Sequence, residues 1–210
     1  MGKYFGTDGF RGEANVTLTV DHAFKVGRFL GWYYGKNHED GKAKIVIGKD
    51  TRRSSYMFEY SLVAGLTASG GDVYKRQTED FDCGIMISAS HNPFYDNGIK
   101  LINAAGEKMK EDVIAEIEKY LDGELGEIPY ATRENIGCTV DYTAGRNRYM
   151  GYLMSLAIYS FKGIRVGLDA SNGSAWTLAK SVFDALGAKT YVINAAPDGT
   201  NINANCGSTH

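Results

Sequence analysis

The chain has 210 residues, 43% of them hydrophobic and 23% charged. That balance excludes global disorder and leaves room for one or two globular domains. Its 23 basic and 25 acidic residues give a formal net charge of −2, so there is no basic surplus for gripping nucleic acid or an anionic membrane. No apolar run reaches the roughly 18 residues of a membrane-spanning helix. The opening MGKYFGTDGF lacks the apolar stretch of a secretion signal, and the distant Cys83, Cys138 and Cys206, with no CxxC pair, fit a reduced, cytoplasmic protein.

In chain order, the first predicted element is a helix over 19–34. Thr19 can cap it, Asp21 suits its positive end, and Ala23, Val26, Leu30 and Tyr33 form an apolar stripe. Lys44 to Gly48 is a short apolar run, the pattern of a strand buried on both faces. Ser54 or Ser55 then caps a helix carrying Phe58, Leu62 and Leu66, which Gly70 and Gly71 end. Strands are predicted at 72–74, 83–88 and 98–102, followed by an amphipathic helix with Val113, Ile117 and Leu121 on one face. The pattern restarts near 137–143, with helices over 144–158 and 175–186, strands at 164–168 and 189–193, and a polar tail from Asp198. His22 and His38 read as surface residues of a helix and a loop.

This alternation sets the fold class: α/β, with a mixed, largely parallel sheet flanked by helices, followed by the start of a second similar α/β domain. The expected division is 1–140 and 141–210. The second part has too few elements for a core of its own, so the chain is expected to stop partway through a domain. One spacing is anomalous. Eight residues, Lys75 to Asp82, separate the strands at 72–74 and 83–88, whereas a parallel crossover with its helix takes about 10–12 or more. Either these strands run antiparallel or a piece is missing near 75–77.

Three loops could carry chemistry. The segment Gly84 to Lys100 delivers a polar loop at the carboxyl end of a buried strand, where open α/β sheets bind ligands. It holds Ser90, His91, Asn92, Asp96 and Lys100: a hydroxyl, an imidazole, an amide, a carboxylate and an ammonium. A serine oxygen needs a neighbouring base or cation to act as a nucleophile. The plainer reading of any single one of these residues, Asp96 above all, is an ordinary turn. In Gly6 to Gly12, glycines let backbone amides approach an anion and Arg11 offers a permanently charged fork for phosphate, though a flexible N-terminal turn is at least as good a reading. Gly48 to Arg53 also follows a strand and opens a helix, a place that attracts anions; for Arg53 a surface charge is the better reading. The histidines show no metal-ligand spacing.

Taken together, GTDGFRG and ISASHNPFYDNGIK resemble the α-D-phosphohexomutase superfamily, and within it the branch acting on hexosamine phosphates. The GKDTR turn and GLDASNGSAW (Gly167 to Trp176) are similar too, so the resemblance covers nearly the whole chain. It implies four domains around one cleft, with this chain holding phosphohexomutase domain 1 and part of domain 2. It implies a phosphorylated hexosamine as substrate, with glucosamine 6-phosphate and 1-phosphate interconverted through a phosphoserine and a sugar bisphosphate for amino-sugar synthesis. By matching residues, Ser90 is the phosphoserine, His91 and Lys100 assist proton transfer, and Arg11 lies near the phosphoserine. The phosphate on Ser90 would be one ligand of Mg²⁺, a hard cation that prefers oxygen.

The departures matter as much. The family's aspartate-rich metal loop, sugar-recognition loop and distal phosphate-binding loop are not in this sequence, and Lys75, Arg76 and Gln77 stand where the family has a Thr-Pro loop and helix. The resemblance therefore implies an enzyme whose 210-residue part is itself inactive. Three other readings stay open: a phosphohexomutase acting on mannose or glucose phosphates, a fragment that only binds phosphate, and a serine-dependent phosphatase. Oligomeric state is open.

Overall fold

The computed structural model describes residues 2–75, 81–141 and 144–210. The first 141 residues build β1 (Phe10–Glu13), α1 (Val20–Gly35), β2 (Lys44–Lys49), α2 (Arg53–Ala68), β3 (Asp72–Lys75), β4 (Cys83–Ile87), β5 (Asp96–Asn103), α3 (Glu111–Leu121) and β6 (Thr139–Asp141). The strands form one sheet in the order β1-β5-β4-β2-β3-β6. Its ladder β4-β2-β3-β6 is parallel, while β5 runs antiparallel to β4 and to β1. The mixed, largely parallel α/β class read from the sequence is the observed one.

Strand alternation gives this sheet two unlike faces. On one, Ile45, Ile47, Val73, Ile85, Ile87 and Ile99 are buried against Phe29 and Leu30 of α1, Leu62 and Leu66 of α2, and Ile117 of α3. The helices α1 and α2 touch backbone to backbone. A β-carbon on Gly65 would fall 2.2 Å from the Phe24 carbonyl, and one on Gly27 would fall 2.4 Å from that of Leu62. On the other face, Tyr74, Val46, Gly84 and Ile102 form one row across four strands, with Met86 beside it. Tyr74, Val46, Met86 and Ile102 are only partly buried, and the core into which α1, α2 and α3 pack includes none of them.

The antiparallel option for the anomalous connection is overturned. Both β3 and β4 lie parallel to β2, on opposite sides of it. Arg76 and Gln77, at the break itself, lie outside the described residues.

Two strands and two cap assignments also differ from expectation. β1 forms where a flexible turn was read, because Phe10 is buried in the core and Arg11 pairs with Gly98. β6 is too short to show as a pattern and joins the first sheet through Val73. The N-cap of α2 is Arg52, two residues ahead of the first expected serine, and Ser55 instead donates to Asp50 at 2.8 Å. Thr19 caps α1 as read, but with His22 as partner: the Thr19 hydroxyl accepts from the His22 amide, and the Thr19 amide donates to His22 Nδ1 at 3.2 Å. His22 is thus no free surface residue; its ring lies 5.1 Å from Phe10 and 5.5 Å from Tyr4. His38 likewise pairs with Asp82 at 2.8 Å.

The His22 arrangement has a pH signature. Burial, helped by Lys25, pushes its imidazole below the ordinary 6.5. Protonation would also remove Nδ1 as an acceptor. The unfolded chain takes up the proton more readily, so this contribution is complete above about pH 6.5 and is lost as pH falls below it. Glu118, raised by burial but pulled lower still by the amides of Phe5, Tyr4 and Lys3, titrates in a lower range. The thermal midpoint should fall between about pH 7 and pH 5.5, and His22→Gln should flatten that interval. Equal slopes in the two proteins would refute it.

The remaining residues form α4 (Ala144–Ser155), β7 (Arg165–Asp169), α5 (Ala179–Ala185) and β8 (Lys189–Ile193), with β7 and β8 a parallel pair. The helix α4 stops three residues earlier than read, and the start of the expected 175–186 helix is a short 3-10 turn over Ser174–Thr177. Ile158, Tyr159 and Ile193 are exposed.

Candidate functional site

The serine loop leaves β4 at its carboxyl end and returns as β5. Its tip, Ser90 and His91, is exposed. Ser90 has φ of 56°, in the left-handed region that a serine enters only when its surroundings impose it. The Ser90 amide donates to the Ser88 hydroxyl at 3.1 Å, and the Asn92 amide to the Ala89 carbonyl at 3.1 Å, which closes a tight turn. Asp96 accepts from the Asn92 side chain at 2.9 Å. It is the first residue of β5, paired with Glu13 of β1, rather than the turn residue its sequence context suggested.

Behind this turn lies a buried polar network that the sequence did not announce. Arg52, fully buried, pairs with Asp50 and sends its other arm, Nη2, to the carbonyls of Ser90 at 3.1 Å and Asn92 at 2.6 Å. Asp50 also accepts from the Ser55 hydroxyl. Asn97, completely buried, donates to the hydroxyls of Ser54 at 2.9 Å and Ser55 at 3.0 Å. The GKDTR turn is therefore a brace under the serine loop. Its buried arginine is committed to protein carbonyls, and Arg53, exposed, plays no part in the network. Breaking a buried pair such as Arg52–Asp50 costs about 3–5 kcal/mol, because the remaining charge is uncompensated. The signal that could have revealed Arg52 is its place beside an aspartate two residues back at a strand end.

The cations arrive from the sheet. Arg11 on β1 faces Gly98 on β5, and Lys100 is two residues further along the same strand, so both side chains rise from the same sheet face. Such diagonal neighbours are about 7–8 Å apart at their α-carbons. Gly98 makes room: a β-carbon there would sit 3.0 Å from Arg11 Cγ and 2.8 Å from the Ser88 carbonyl. Arg11 pairs with exposed Asp8 at 3.2 Å, while its Nε is buried and finds no hydrogen-bond partner among the described residues. That donor and Lys100 are suited to an anion. Lys100 also lines a cavity of about 590 Å³ between the Gly6–Gly9 turn and Gly106–Met109; Ser90, His91 and Arg11 are not in its lining. The structure thus places Arg11 and Lys100 on one face and Ser90 with His91 on the adjoining loop tip.

Among the described residues no group of three His, Cys, Asp or Glu side chains could hold a metal ion. Ser90 would contribute one oxygen and no carboxylate cage surrounds it.

The braced serine loop on a mixed α/β sheet defines a phosphosugar-mutase type of domain, and the chain belongs to the family described as phosphoglucomutase/phosphomannomutase, alpha/beta/alpha domain I, whose profile matches residues 2–125. Over its whole length the chain is 91% identical to a phosphoglucosamine mutase of Lachnospira eligens, of which it covers 49%. It thus spans about half the length of such curated relatives. That alignment runs over 222 positions, so twelve of them have no residue in this chain's 210. Among solved structures, a phosphoglucomutase/phosphomannomutase family protein of Burkholderia thailandensis superposes with a TM-score of 0.77 at 24% identity, over 94% of this chain and 45% of that one. An N-acetylphosphoglucosamine mutase of Aspergillus fumigatus, solved with GlcNAc-6P and magnesium, gives a TM-score of 0.50 at 17% identity, over 94% of this chain and 42% of that one. Likenesses at such identities speak for the fold. Among the described residues no helix is long and apolar enough to cross a membrane.

Proposed function

We propose that this chain is the phosphoserine-bearing part of a cytoplasmic phosphoglucosamine mutase. Residues 1–140 would be the phosphoserine domain and 141–210 part of the second domain. The observation that carries the reading is the exposed Ser90 hydroxyl, held in a braced left-handed turn beside a sheet face bearing Arg11 and Lys100. The name of the relative at 91% identity supplies the substrate.

In this reading the phosphoryl group on Ser90 Oγ passes to a free hydroxyl of glucosamine 6-phosphate or 1-phosphate. The bond from phosphorus to the serine oxygen breaks, a bond to the sugar oxygen forms, and the sugar hydroxyl gives up its proton, with His91 and Lys100 assisting. Serine oxygen regains a proton as the bisphosphate forms. The reverse transfer, from the other sugar position, restores the phosphoserine. Arg11 and Lys100 stabilise charge on the moving phosphoryl group, the main contribution proteins make to such transfers. Magnesium, present in the Aspergillus enzyme's structure, would neutralise phosphate charge, with phosphorylated Ser90 supplying one oxygen ligand here.

Intact-mass and peptide analysis of a full-length mutase bearing these residues should find one phosphate, about 80 Da, on Ser90, and Ser90→Ala should abolish turnover. Phosphate on Ser88, or full activity in Ser90→Ala, would overturn the assignment.

A further inference from the structure

The serine loop is held from two sides, and one side belongs to the second part of the chain. Asn203, in the polar tail beyond β8, donates through Nδ2 to the Ser90 carbonyl at 2.9 Å and to the Asn92 carbonyl at 3.2 Å. These are the same two carbonyls that Arg52 reaches from the first part. The Ser90 carbonyl therefore accepts from both a buried guanidinium and a side-chain amide, and both donors hold the carbonyl on which its left-handed conformation turns. Asn203 is itself fixed. Its backbone is left-handed at φ of 59°, and its amide donates to the Ser171 carbonyl at 3.0 Å.

The tail carrying Asn203 is docked at several further points. The Thr51 hydroxyl donates to the Asn172 carbonyl at 2.5 Å, and the Arg53 amide to the Gly199 carbonyl at 2.9 Å. Buried Asn172 ties the loop after β7 to the tail, donating to the Asn201 carbonyl at 3.3 Å and accepting from the Ala196 amide at 3.1 Å. The contact with Ser90 is thus the end of a continuous hydrogen-bonded path from the loop after β7.

We infer that Asn203 is a positioning residue for the Ser90 nucleophile, acting with Arg52 to hold Ser90 in its left-handed turn, so that the second part of the chain sets the geometry of the reacting hydroxyl. The inference rests on the proposed mutase reading for its kinetic consequence, and on hydrogen bonds alone for its structural one. A shift of about 1 Å in a reacting group can cost on the order of 10²-fold in rate. Ser90 without the Asn203 amide keeps Arg52 as a partner, so a partial loss is expected.

The test uses Asn203→Gly, which tolerates the left-handed backbone but removes the amide, and Asn203→Asp, which keeps the shape but presents acceptors to two carbonyls. In a full-length mutase bearing these residues, amide exchange at Ser90–Asn92 should speed up about tenfold in both variants, with exchange in β4 and α2 unchanged. In a full-length mutase bearing these residues, kcat should fall roughly 10- to 100-fold with KM for the sugar phosphate unchanged. Wild-type exchange at Ser90–Asn92 in both variants overturns the inference. So does faster exchange throughout residues 144–210 or the whole chain, which would make Asn203 a general structural residue. If the unaltered full-length protein does not turn over glucosamine phosphates, the mutase reading falls, and the exchange measurement still decides the positioning.

Discussion

The 210-residue chain is expected to bind a hydrophobic dye and to lose solubility, and both defects should disappear when a crossover of about twelve residues is restored between β3 and β4. Three independent observations converge on this. The apolar row Tyr74, Val46 and Ile102, with Met86 beside it, is only partly buried on the sheet face opposite α1, α2 and α3. Lys75 ends β3 and Cys83 opens β4 on the opposite side of β2, and the residues numbered between them are too few for the helix that a parallel connection carries. The family's domain is described as alpha/beta/alpha, with helices on both faces. Phe81, just before β4, leans on Tyr74 at 5.4 Å and gives that end of the row some cover. Completing the burial of four such side chains would add on the order of 2–4 kcal/mol, a large part of the stability of a small domain. The check is dye fluorescence and a denaturant titration on the chain with and without the insertion. A chain that binds no dye and unfolds cooperatively as given would sink the idea, and so would an insertion that leaves dye binding unchanged.

The fold was legible where a pattern is long or a spacing is rigid. Strand positions such as Lys44–Gly48 and the stripe of α1 follow from the hydrophobic pattern, although β2 is buried on one face only, and the short connection after Tyr74 was visible as a count of residues. Periodicity fails for β1 and β6, which are too short to repeat and owe their strand form to the partners Ile99–Asp96 and Val73–Lys75. It fails also for His22 and for Ser54 and Ser55. A polar residue in a first turn reads as a cap or as surface, and only the tertiary structure shows His22 packed on Phe10 or the serines bonded to Asn97. In the site, the hydroxyl, imidazole and cations were readable from residue type and from the resemblance. The brace was not. The Gly48–Arg53 loop reads as a place for anions, and a guanidinium's chemistry is the same whether it meets a phosphate or two carbonyls. Asn203 lies 113 positions from Ser90, and no local pattern links an asparagine in a polar tail to a distant loop.

The largest expected effect is on turnover: the 210-residue chain alone should not interconvert glucosamine 6-phosphate and 1-phosphate at a measurable rate. A mutase must donate a phosphoryl group, neutralise its charge in flight, and hold the bisphosphate while it turns over. In the proposed reading this chain would supply the first of these through Ser90 and part of the second through Arg11 and Lys100. No trio of acidic, histidine or cysteine side chains among the described residues can hold a metal. Mg²⁺ keeps its waters tightly and binds carboxylates and phosphates together, so a single serine phosphate should retain it poorly. In the proposed reading the Arg11 guanidinium and the Lys100 ammonium would attract one phosphate, but a bisphosphate has a second, for which the proposal names no residue among these 210. Electrostatic stabilisation of this kind is usually the largest catalytic contribution, so its partial loss should remove several powers of ten in rate. A coupled assay for glucosamine 1-phosphate, with Mg²⁺ and a sugar-bisphosphate primer, decides the matter. It should be run on the chain with its crossover restored, so that misfolding is not mistaken for missing chemistry. Turnover by that protein, abolished by Ser90→Ala, would show that the serine loop and its two cations suffice; turnover that survives Ser90→Ala would remove Ser90 from the reaction altogether.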